Sequence, residues 1–278
     1  MKHRLFAASM MILFLGTVSS AFADSVTLNT NASQLATAVT AGNTGVTITG
    51  ATLQGQSDDS GVASTGTFTN IYGLGSGIVM STGNAADYGT GPNTDSEHTY
   101  AYLTDATSAQ NVLLNPLTNG FSDHHDVTEL DLNFTVDPDV SQIFFNVAFG
   151  SEEYPVYVGT QFVDAFGLYL NGVNIADVNG QPVNINHSCF ESFVGTELNG
   201  VLACNNNPVN TFSGDVVAGT NTLTFIIADT SDSNLDTTAY LGALGTQNIS
   251  ATPEPGSLAL LGTGFLGLAA IARRRFFA

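Results

Sequence analysis

Lysine and arginine are absent from residues 5–272 of this 278-residue chain. The five basic residues lie at its two ends, and the 24 acidic residues give a formal net charge of −19. The middle of the chain therefore cannot form salt bridges to lysine or arginine, so its carboxylates need water, hydrogen bonds or metal ions. This absence excludes nucleic acid as a partner of the middle region, because nothing there could neutralise phosphate. It excludes docking on anionic lipid for the same reason.

The first 23 residues have the order of a secretory signal peptide. Charged residues at 2–4 precede a short apolar run, Leu5–Val18, and Ala21-Phe22-Ala23 is a small-x-small cleavage site. We therefore predict that signal peptidase cleaves after Ala23, so that the mature chain begins at Asp24. The alternative is an uncleaved anchor, but the apolar run is short for a membrane-spanning helix.

The other end of the chain, residues 252–278, has three parts in a fixed order. A proline-rich stretch comes first, an uncharged segment at 256–272 follows, and an arginine cluster ends it. A helix over 256–272 would be about 25 Å long at about 1.5 Å per residue, enough to cross a thin bilayer. The positive-inside rule would keep the arginines in the cytoplasm. The defining residues are Pro253, Glu254, Pro255, Arg273, Arg274 and Arg275.

This order resembles the PEP-CTERM sorting signal of Gram-negative bacteria. The resemblance implies recognition by an exosortase-type processing enzyme, removal of the tail, and transfer from a transient inner-membrane anchor to the cell surface or extracellular matrix. Such proteins often accompany exopolysaccharide production. A plain C-terminal anchor that stays attached is the alternative. Residues 247–255 are the predicted linker, and the membrane is contacted only through the C-terminal helix.

Residues 24–246 combine Gly, Asn, Thr, Ser and Val with no tryptophan. Short runs with alternating apolar residues recur between Gly and Asn turns, which favours strands over helices. They predict an all-β domain, a β-sandwich with a jelly roll as one candidate topology. Ala32–Thr40 is the only predicted helix of the mature domain. The strongest predicted strands are Leu130–Val136, Gln142–Phe149, Ala165–Leu170 and Thr222–Ala228.

Cysteine is nearly absent: Cys189 and Cys204 are the only two. An even pair in an exported chain indicates one disulfide. A reactive thiolate or a pair of metal ligands is the alternative, but there is no Cys-x-x-Cys spacing and the compartment is oxidising.

Acidic residues stand where three predicted strands end or begin. If these strands are neighbours in one sheet, their ends converge at one rim, and oxygen ligands on loops above a rigid sheet are what Ca²⁺ binds. Without a cation the carboxylates would repel one another. The alternative is a set of solvated loop acids that each cap a turn. The predicted ligands are Glu152, Glu153, Asp164, Asp229, Asp232 and Asp236.

The segments Phe149–Pro155 and Val158–Gly172 resemble the choice-of-anchor L domain. Gly77–Gly83, Asp126–Phe134 and the segment from Ile227 to Asp236 match the same family. The resemblance covers most of residues 24–246 and implies a bacterial surface protein with no established reaction. It therefore favours a non-enzymatic role and strengthens the prediction of a calcium site.

Other clusters are weaker candidates. Asp123-His124-His125-Asp126 is predicted to be a polar loop, because adjacent histidines on a strand would face opposite sides. His98 and His187 are predicted to be isolated surface residues. Glu152 and Glu153 are adjacent, which suits the two opposed carboxylates of a glycosidase poorly.

Together these patterns predict a non-enzymatic exported surface or matrix protein with a structural Ca²⁺ site and a role in biofilm or exopolysaccharide association. The alternative is a calcium-dependent carbohydrate-binding module with weak glycoside hydrolase activity. In that alternative, Tyr154 and Tyr157 would contact sugar beside Glu152.

Overall fold

A computed structural model of the protein describes residues 25–41 and 45–246. The predicted signal peptide (1–23), the linker (247–255), the C-terminal helix (256–272) and all of their cleavage and sorting residues lie outside the described residues. Within residues 25–41 and 45–246, neither α-helix has the length and hydropathy of a membrane span. The described residues belong to one compact unit, Ala23–Pro253.

The described residues form fifteen strands, two α-helices and one short 3₁₀ turn. The helices are α1 (Ala32–Val39) and α2 (Ser108–Leu114), and the 3₁₀ turn is Cys204–Asn206. The strands are β1 (Ser25–Leu28), β2 (Val46–Gln54), β3 (Thr65–Thr69), β4 (Ser76–Ser81), β5 (His124–Val136), β6 (Gln142–Ser151), β7 (Ala165–Leu170), β8 (Val173–Asn174), β9 (Asp177–Val178), β10 (Gln181–Asn184), β11 (Phe190–Glu191), β12 (Gly200–Leu202), β13 (Asn210–Asp215), β14 (Asn221–Thr230) and β15 (Thr237–Gly245).

The strands build two antiparallel sheets. The first has the order β1-β3-β4-β15-β6-β12-β11, with β13 also beside β6. The second has the order β2-β5-β14-β7-β10-β9, with β8 beside β7. Eight of the strands form the central part of the two sheets: β4, β5, β6, β7, β10, β13, β14 and β15. When these eight are renumbered 1 to 8 in chain order, the first sheet has the order 1-8-3-6 and the second sheet has the order 2-7-4-5. This is the jelly-roll order, so the predicted all-β sandwich is confirmed.

The core lies between the two sheets. Alternate residues of each strand point inward, as the period of two requires, and Leu130, Leu132 and Phe134 of β5 are all buried. Phe145 of the first sheet meets Phe225 of the second edge to face, with ring centroids 5.9 Å apart. Interlocked rings of this kind make the sandwich a rigid base for the loops at its ends.

Helix α1 begins as predicted, with the Asn31 side chain accepting a hydrogen bond from the amide of Gln34. The prediction of a single helix was wrong, because Ser108–Leu114 forms a second helix, α2. A capping box between Thr107 and Gln110 starts α2. The capping box was the sequence signal that could have predicted α2. The helix has only seven residues and packs on β5 and β7, so its apolar pattern is too short to be recognised in the sequence.

The loop prediction for residues 123–126 was also wrong, because β5 begins at His124. The two histidines face opposite sides, as expected for neighbours on a strand. His124 is buried, and its Nε2 lies 3.0 Å from the Thr118 hydroxyl. Burial lowers the pKa of His124 to about 4, so this ring is a neutral structural link between α2 and β5.

Cys189 and Cys204 form a disulfide, with Cα atoms 4.8 Å apart. The bridge joins the residue before β11 to the 3₁₀ turn and closes a loop between residues 15 apart in sequence. It restrains a segment that carries only short strands, which are weak on their own.

Candidate metal centre and adjoining cleft

The six predicted acids meet at one end of the sandwich. There β6 and β14 end and β7 and β15 begin, with Ser151 opposite Thr237 in the first sheet and Ala228 opposite Ala165 in the second. Of the strands that the sequence suggested to be neighbours in one sheet, β7 and β14 are adjacent in the second sheet, whereas β6 lies in the first. The acids therefore converge from both sheets. All six are buried except Asp232, which is partly exposed.

Two of the acids have hydrogen-bond partners on both oxygens. Asp164 accepts hydrogen bonds from the amide of Thr230 at 3.0 Å and from the hydroxyl of Thr237 at 2.6 Å. Asp236 accepts hydrogen bonds from the amide of Tyr100 at 2.9 Å and from the Tyr88 hydroxyl on Oδ2, with the Thr99 hydroxyl at 3.4 Å from Oδ1. These two carboxylates fix the strand ends and the loop at 86–105.

Asp236 also explains why Gly83 is a glycine. A Cβ atom added at Gly83 would lie 1.6 Å from Asp236 Oδ2, so any side chain there would displace the carboxylate. The glycine that closes the predicted β4 segment therefore makes room for an acid of the site.

Three other acids have oxygens with no hydrogen-bond partner among the described residues. Both oxygens of Glu152, both of Asp229 and Oε2 of Glu153 are buried in this way. Their side chains are only 2%, 1% and 2% exposed, so water does not solvate them freely. A buried carboxylate without a partner is costly unless it takes up a proton or meets a cation.

Burial and mutual repulsion act on these groups together. Burial first, and then the charges of Asp164 and Asp232, raise the pKa of Glu153 to about 10. Burial raises the pKa of Asp164 to about 8. Burial and the nearby Asp164 and Asp236 raise the pKa of Asp229 well above its usual range. The Thr82 hydroxyl lowers this pKa in part, but it does not reach hydrogen-bonding geometry with the carboxylate.

Glu152 belongs to a different electrostatic neighbourhood from Glu153. Burial raises the pKa of Glu152 to about 8. The backbone N–H of Asn199 opposes this shift without reaching hydrogen-bonding geometry with the carboxylate, and Asp236, Asp95 and Glu197 add to the shift. The six predicted residues thus divide into an inner group of four, the hydrogen-bonded Asp236, and Glu152. We call Glu153, Asp164, Asp229 and Asp232 the inner acids.

Sequence reasoning missed Asp126 as a member of this region. Asp126 and Val127 of β5 face the single residue Ala228 of β14, which makes a β-bulge. At the bulge Asp126 has φ of 47° and is fully buried. Its carboxylate accepts hydrogen bonds from the amides of Tyr102 at 2.9 Å and Thr104 at 2.8 Å. Asp126 was predicted to lie in a polar loop. The bulge instead directs its carboxylate to the backbone of the loop at 100–104, which it holds in place.

The inner acids offer the hard, anionic oxygen donors that suit Ca²⁺. Their oxygens are spread around the site, and an ion there would require the side chains to turn toward a common point.

One described group has potential ligand atoms that all lie within 4.8 Å of one another: His187, Cys189 and Cys204. The two cysteines are joined in the disulfide, and His187 accepts a hydrogen bond from the amide of Cys189. His187 is therefore a buried structural residue, contrary to its predicted surface position.

A cleft of about 600 Å³ opens beside the acids. The segment 152–157 with Phe162 forms one wall, and Ser96, Glu97, Thr99 and Asn199 form the other, with residues near Asp232 at the rim. The Asn199 amide group joins the two walls by donating to the carbonyl of Ser96 at 2.9 Å and to that of Glu152 at 2.7 Å. The cleft is thus held open by hydrogen bonds already present.

The model of the choice-of-anchor L domain matches residues 24–246 of this chain. The chain belongs to the choice-of-anchor L family. The PEP-CTERM protein-sorting motif matches residues 251–275. A choice-of-anchor L domain followed by this motif makes the chain an exported, surface-sorted protein, and the motif implies processing by an exosortase.

No curated protein matches the chain. Among solved structures, the chain is similar to one titled "Crystal structure of Agl-KA catalytic domain", with 11% identity and a TM-score of 0.19. The similarity covers 62% of this chain and 30% of the other chain. A likeness this small carries no argument about this choice-of-anchor L protein.

Proposed function

We propose that this choice-of-anchor L protein is a non-enzymatic component of the cell surface or extracellular matrix that binds Ca²⁺ through its inner acids and associates with exopolysaccharide. The buried, unpartnered oxygens of Glu153 and Asp229 carry the calcium part of the proposal. No lysine or arginine in residues 5–272 can pair with them. A divalent cation from the medium is the partner that this chemistry favours.

The inner acids have different roles in the proposed binding of Ca²⁺. Asp229 and Glu153 supply the unpartnered oxygens, and Asp164 between them keeps its orientation through Thr230 and Thr237. Asp232 is partly exposed, so it gives an ion a path from solvent. Glu152 and Asp236, which the sequence also suggested, are weaker candidates. Glu152 faces the cleft, and Asp236 already accepts hydrogen bonds from Tyr88, Tyr100 and Thr99, one donor more than Asp164 has.

Calorimetric titration tests this proposal. Ca²⁺ should bind the processed chain, residues 24–250, in a saturable step. Glu153→Gln and Asp229→Asn should each weaken binding by at least about tenfold, since each removes a charged ligand. Asp139→Asn is the matched control, because Asp139 is exposed in the turn before β6, at the far end of that strand. Equal weakening by all three substitutions would indicate only general charge attraction and would reject the site.

The surface role is tested in the producing cell. Deleting residues 253–278 removes the sorting motif and should release the domain into the periplasm or the medium. A full-length chain with Asp139→Asn should stay at the surface in the same fractionation. Unchanged surface retention of the truncated chain would reject the role of the motif in this protein.

A second candidate function is a calcium-dependent carbohydrate-binding module. The observation that favours it is the cleft, where Tyr154 and Tyr157 stand in the same wall as Glu152. Hydrolysis is less favoured, because Glu152 and Glu153 are adjacent, and adjacent residues suit the two opposed carboxylates of a glycosidase poorly.

A further inference from the structure

The cleft beside the inner acids has the size and the lining of a ligand site. Its volume of about 600 Å³ lies within the range of small-molecule pockets. It is open to solvent on one side. Because Asn199 ties its two walls together, a ligand would meet a preformed surface.

One wall carries three aromatic rings. Tyr157 and Phe162 meet edge to face with centroids 5.2 Å apart, and Tyr154 packs against the buried Phe190 at 5.3 Å. Tyr154 and Tyr157 are anchored on the main core but remain partly exposed. Rings held in this way present a fixed apolar surface, and ligands with a compact apolar face lose little entropy on packing there.

The base of the cleft carries an unsatisfied acid. Glu152 lines the cleft, is 2% exposed, and neither of its carboxylate oxygens has a hydrogen-bond partner among the described residues. Glu97 and Asp232 add further carboxylates to the lining, and no basic side chain lines the cleft. This lining repels anionic ligands. A ligand that places an ammonium group at Glu152 would supply both N–H donors and the opposite charge.

The breadth of the cleft decides between two sources of an ammonium group. A lysine side chain is a thin chain of methylenes and would cover only a part of the three rings. A pyranose ring is broader, has one apolar face, and carries hydroxyl groups that Ser96 and Asn234 of the lining could bind. The observations therefore favour an amino sugar over a basic peptide.

We propose that this cleft binds a polysaccharide through a sugar unit with a free amino group. The ammonium group pairs with Glu152, the sugar ring packs on Tyr154 and Tyr157, and the hydroxyl groups face the opening. This inference rests on the proposed association with exopolysaccharide and names its chemistry. It also gives Glu152 a role separate from the inner acids.

Titration of the processed chain with short oligosaccharides tests the inference, with Ca²⁺ in excess so that the inner acids are occupied. A glucosamine tetrasaccharide should bind, whereas its N-acetylated form and a neutral glucose tetrasaccharide should bind at least about tenfold more weakly, or about 1.4 kcal/mol. Glu152→Gln and Tyr157→Ala should each weaken the binding of the glucosamine oligomer by a similar factor, and Asp139→Asn should leave that binding unchanged. Melting temperatures of the variants identify any that fail to fold.

Four results would overturn the inference. They are no binding of the glucosamine oligomer, equal binding of the neutral oligomer, equal sensitivity to Asp139→Asn, and tighter binding of tetralysine that Tyr157→Ala leaves unchanged. The last result would indicate a basic peptide partner instead. Failure of the calcium proposal is distinguishable, because it appears in the calcium titration and leaves the oligosaccharide results unaffected.

Discussion

Calcium should raise the melting temperature of the processed chain by about 5–11 °C at pH 8, and by much less at pH 5. A ligand at about 100 times its Kd stabilises the folded state by about 2.7 kcal/mol. For a domain of this size, about 2–4 °C follows from each kcal/mol. The effect depends on pH because Ca²⁺ binds the ionised carboxylates and protons compete with it.

The metal-free chain should show the opposite dependence on pH. The folded-state pKa of Glu153 is raised from 4.5 to about 10, and that of Asp164 from 3.8 to about 8. A folded-state pKa above the unfolded value means that the folded chain binds the proton more tightly. This contribution is fully present below about pH 4 and is lost as pH rises through about 8 to 10. In EDTA the chain should therefore melt at a lower temperature at pH 8 than at pH 5.

One substitution distinguishes the stabilisation by bound Ca²⁺ from the stabilisation by proton uptake. In EDTA at pH 8, below the folded-state pKa of about 10, Glu153 must take up a proton when the chain folds. Glu153→Gln removes this cost, so the variant should melt at or above the wild-type temperature under these conditions. In Ca²⁺ it should melt below the wild type, because a ligand is missing. Differential scanning calorimetry at both pH values measures all four conditions. A calcium shift of equal size in Glu153→Gln and wild type would contradict the assignment of this ligand.

Replacing Asp126 by alanine should destabilise the domain by about 4 kcal/mol, the largest effect expected from one side chain outside the core. The carboxylate accepts hydrogen bonds from the amides of Tyr102, Leu103 and Thr104 and from the Thr104 hydroxyl. Hydrogen bonds to a charged group contribute about 1.5–3 kcal/mol each, and amides left without an acceptor add a cost. Urea denaturation measures the loss.

Two further variants test whether charge and geometry both matter at Asp126. Asp126→Asn keeps the shape but turns an NH₂ group toward backbone amides, so it should also destabilise the domain. Asp139→Ala, at an exposed turn, should change stability by at most about 0.5 kcal/mol. Equal stability of Asp126→Ala and wild type would mean that the loop at 100–104 is held by other contacts.

The sequence predicted the central strands well because burial imposes a clear period of two. The structure places Ala165–Leu170 at the predicted bounds, and the Asn171-Gly172 turn that follows has positive φ at both residues, as a tight hairpin requires. The short strands β10 to β13 had no such pattern. They are held by neighbouring strands and by the disulfide, which are long-range contacts that local periodicity does not report.

The candidate site was predicted from the positions of its acids, but not from their roles. Position along the chain showed that six acids flank strand ends, and the fold brings all six to one end of the sandwich. It could not show that Asp164 and Asp236 are occupied by hydrogen bonds while Asp229 is not. It also could not show the bulge at Asp126, since the bulge arises from the pairing of β5 with β14.

In the proposed surface-bound protein, strand β15 would carry a pull applied through the C-terminal end of the chain. It lies between β4 and β6, antiparallel to both, and after Gly245 the chain continues toward the sorting motif. A pull on that end acts along the strand and must shear two hydrogen-bond ladders together, whereas an edge strand could be peeled away one bond at a time. The nine residues of β15 span about 30 Å, and the cleft opens beyond their first residue, Thr237. The end of β15 that leads toward the sorting motif therefore lies at the opposite end of the strand from the cleft.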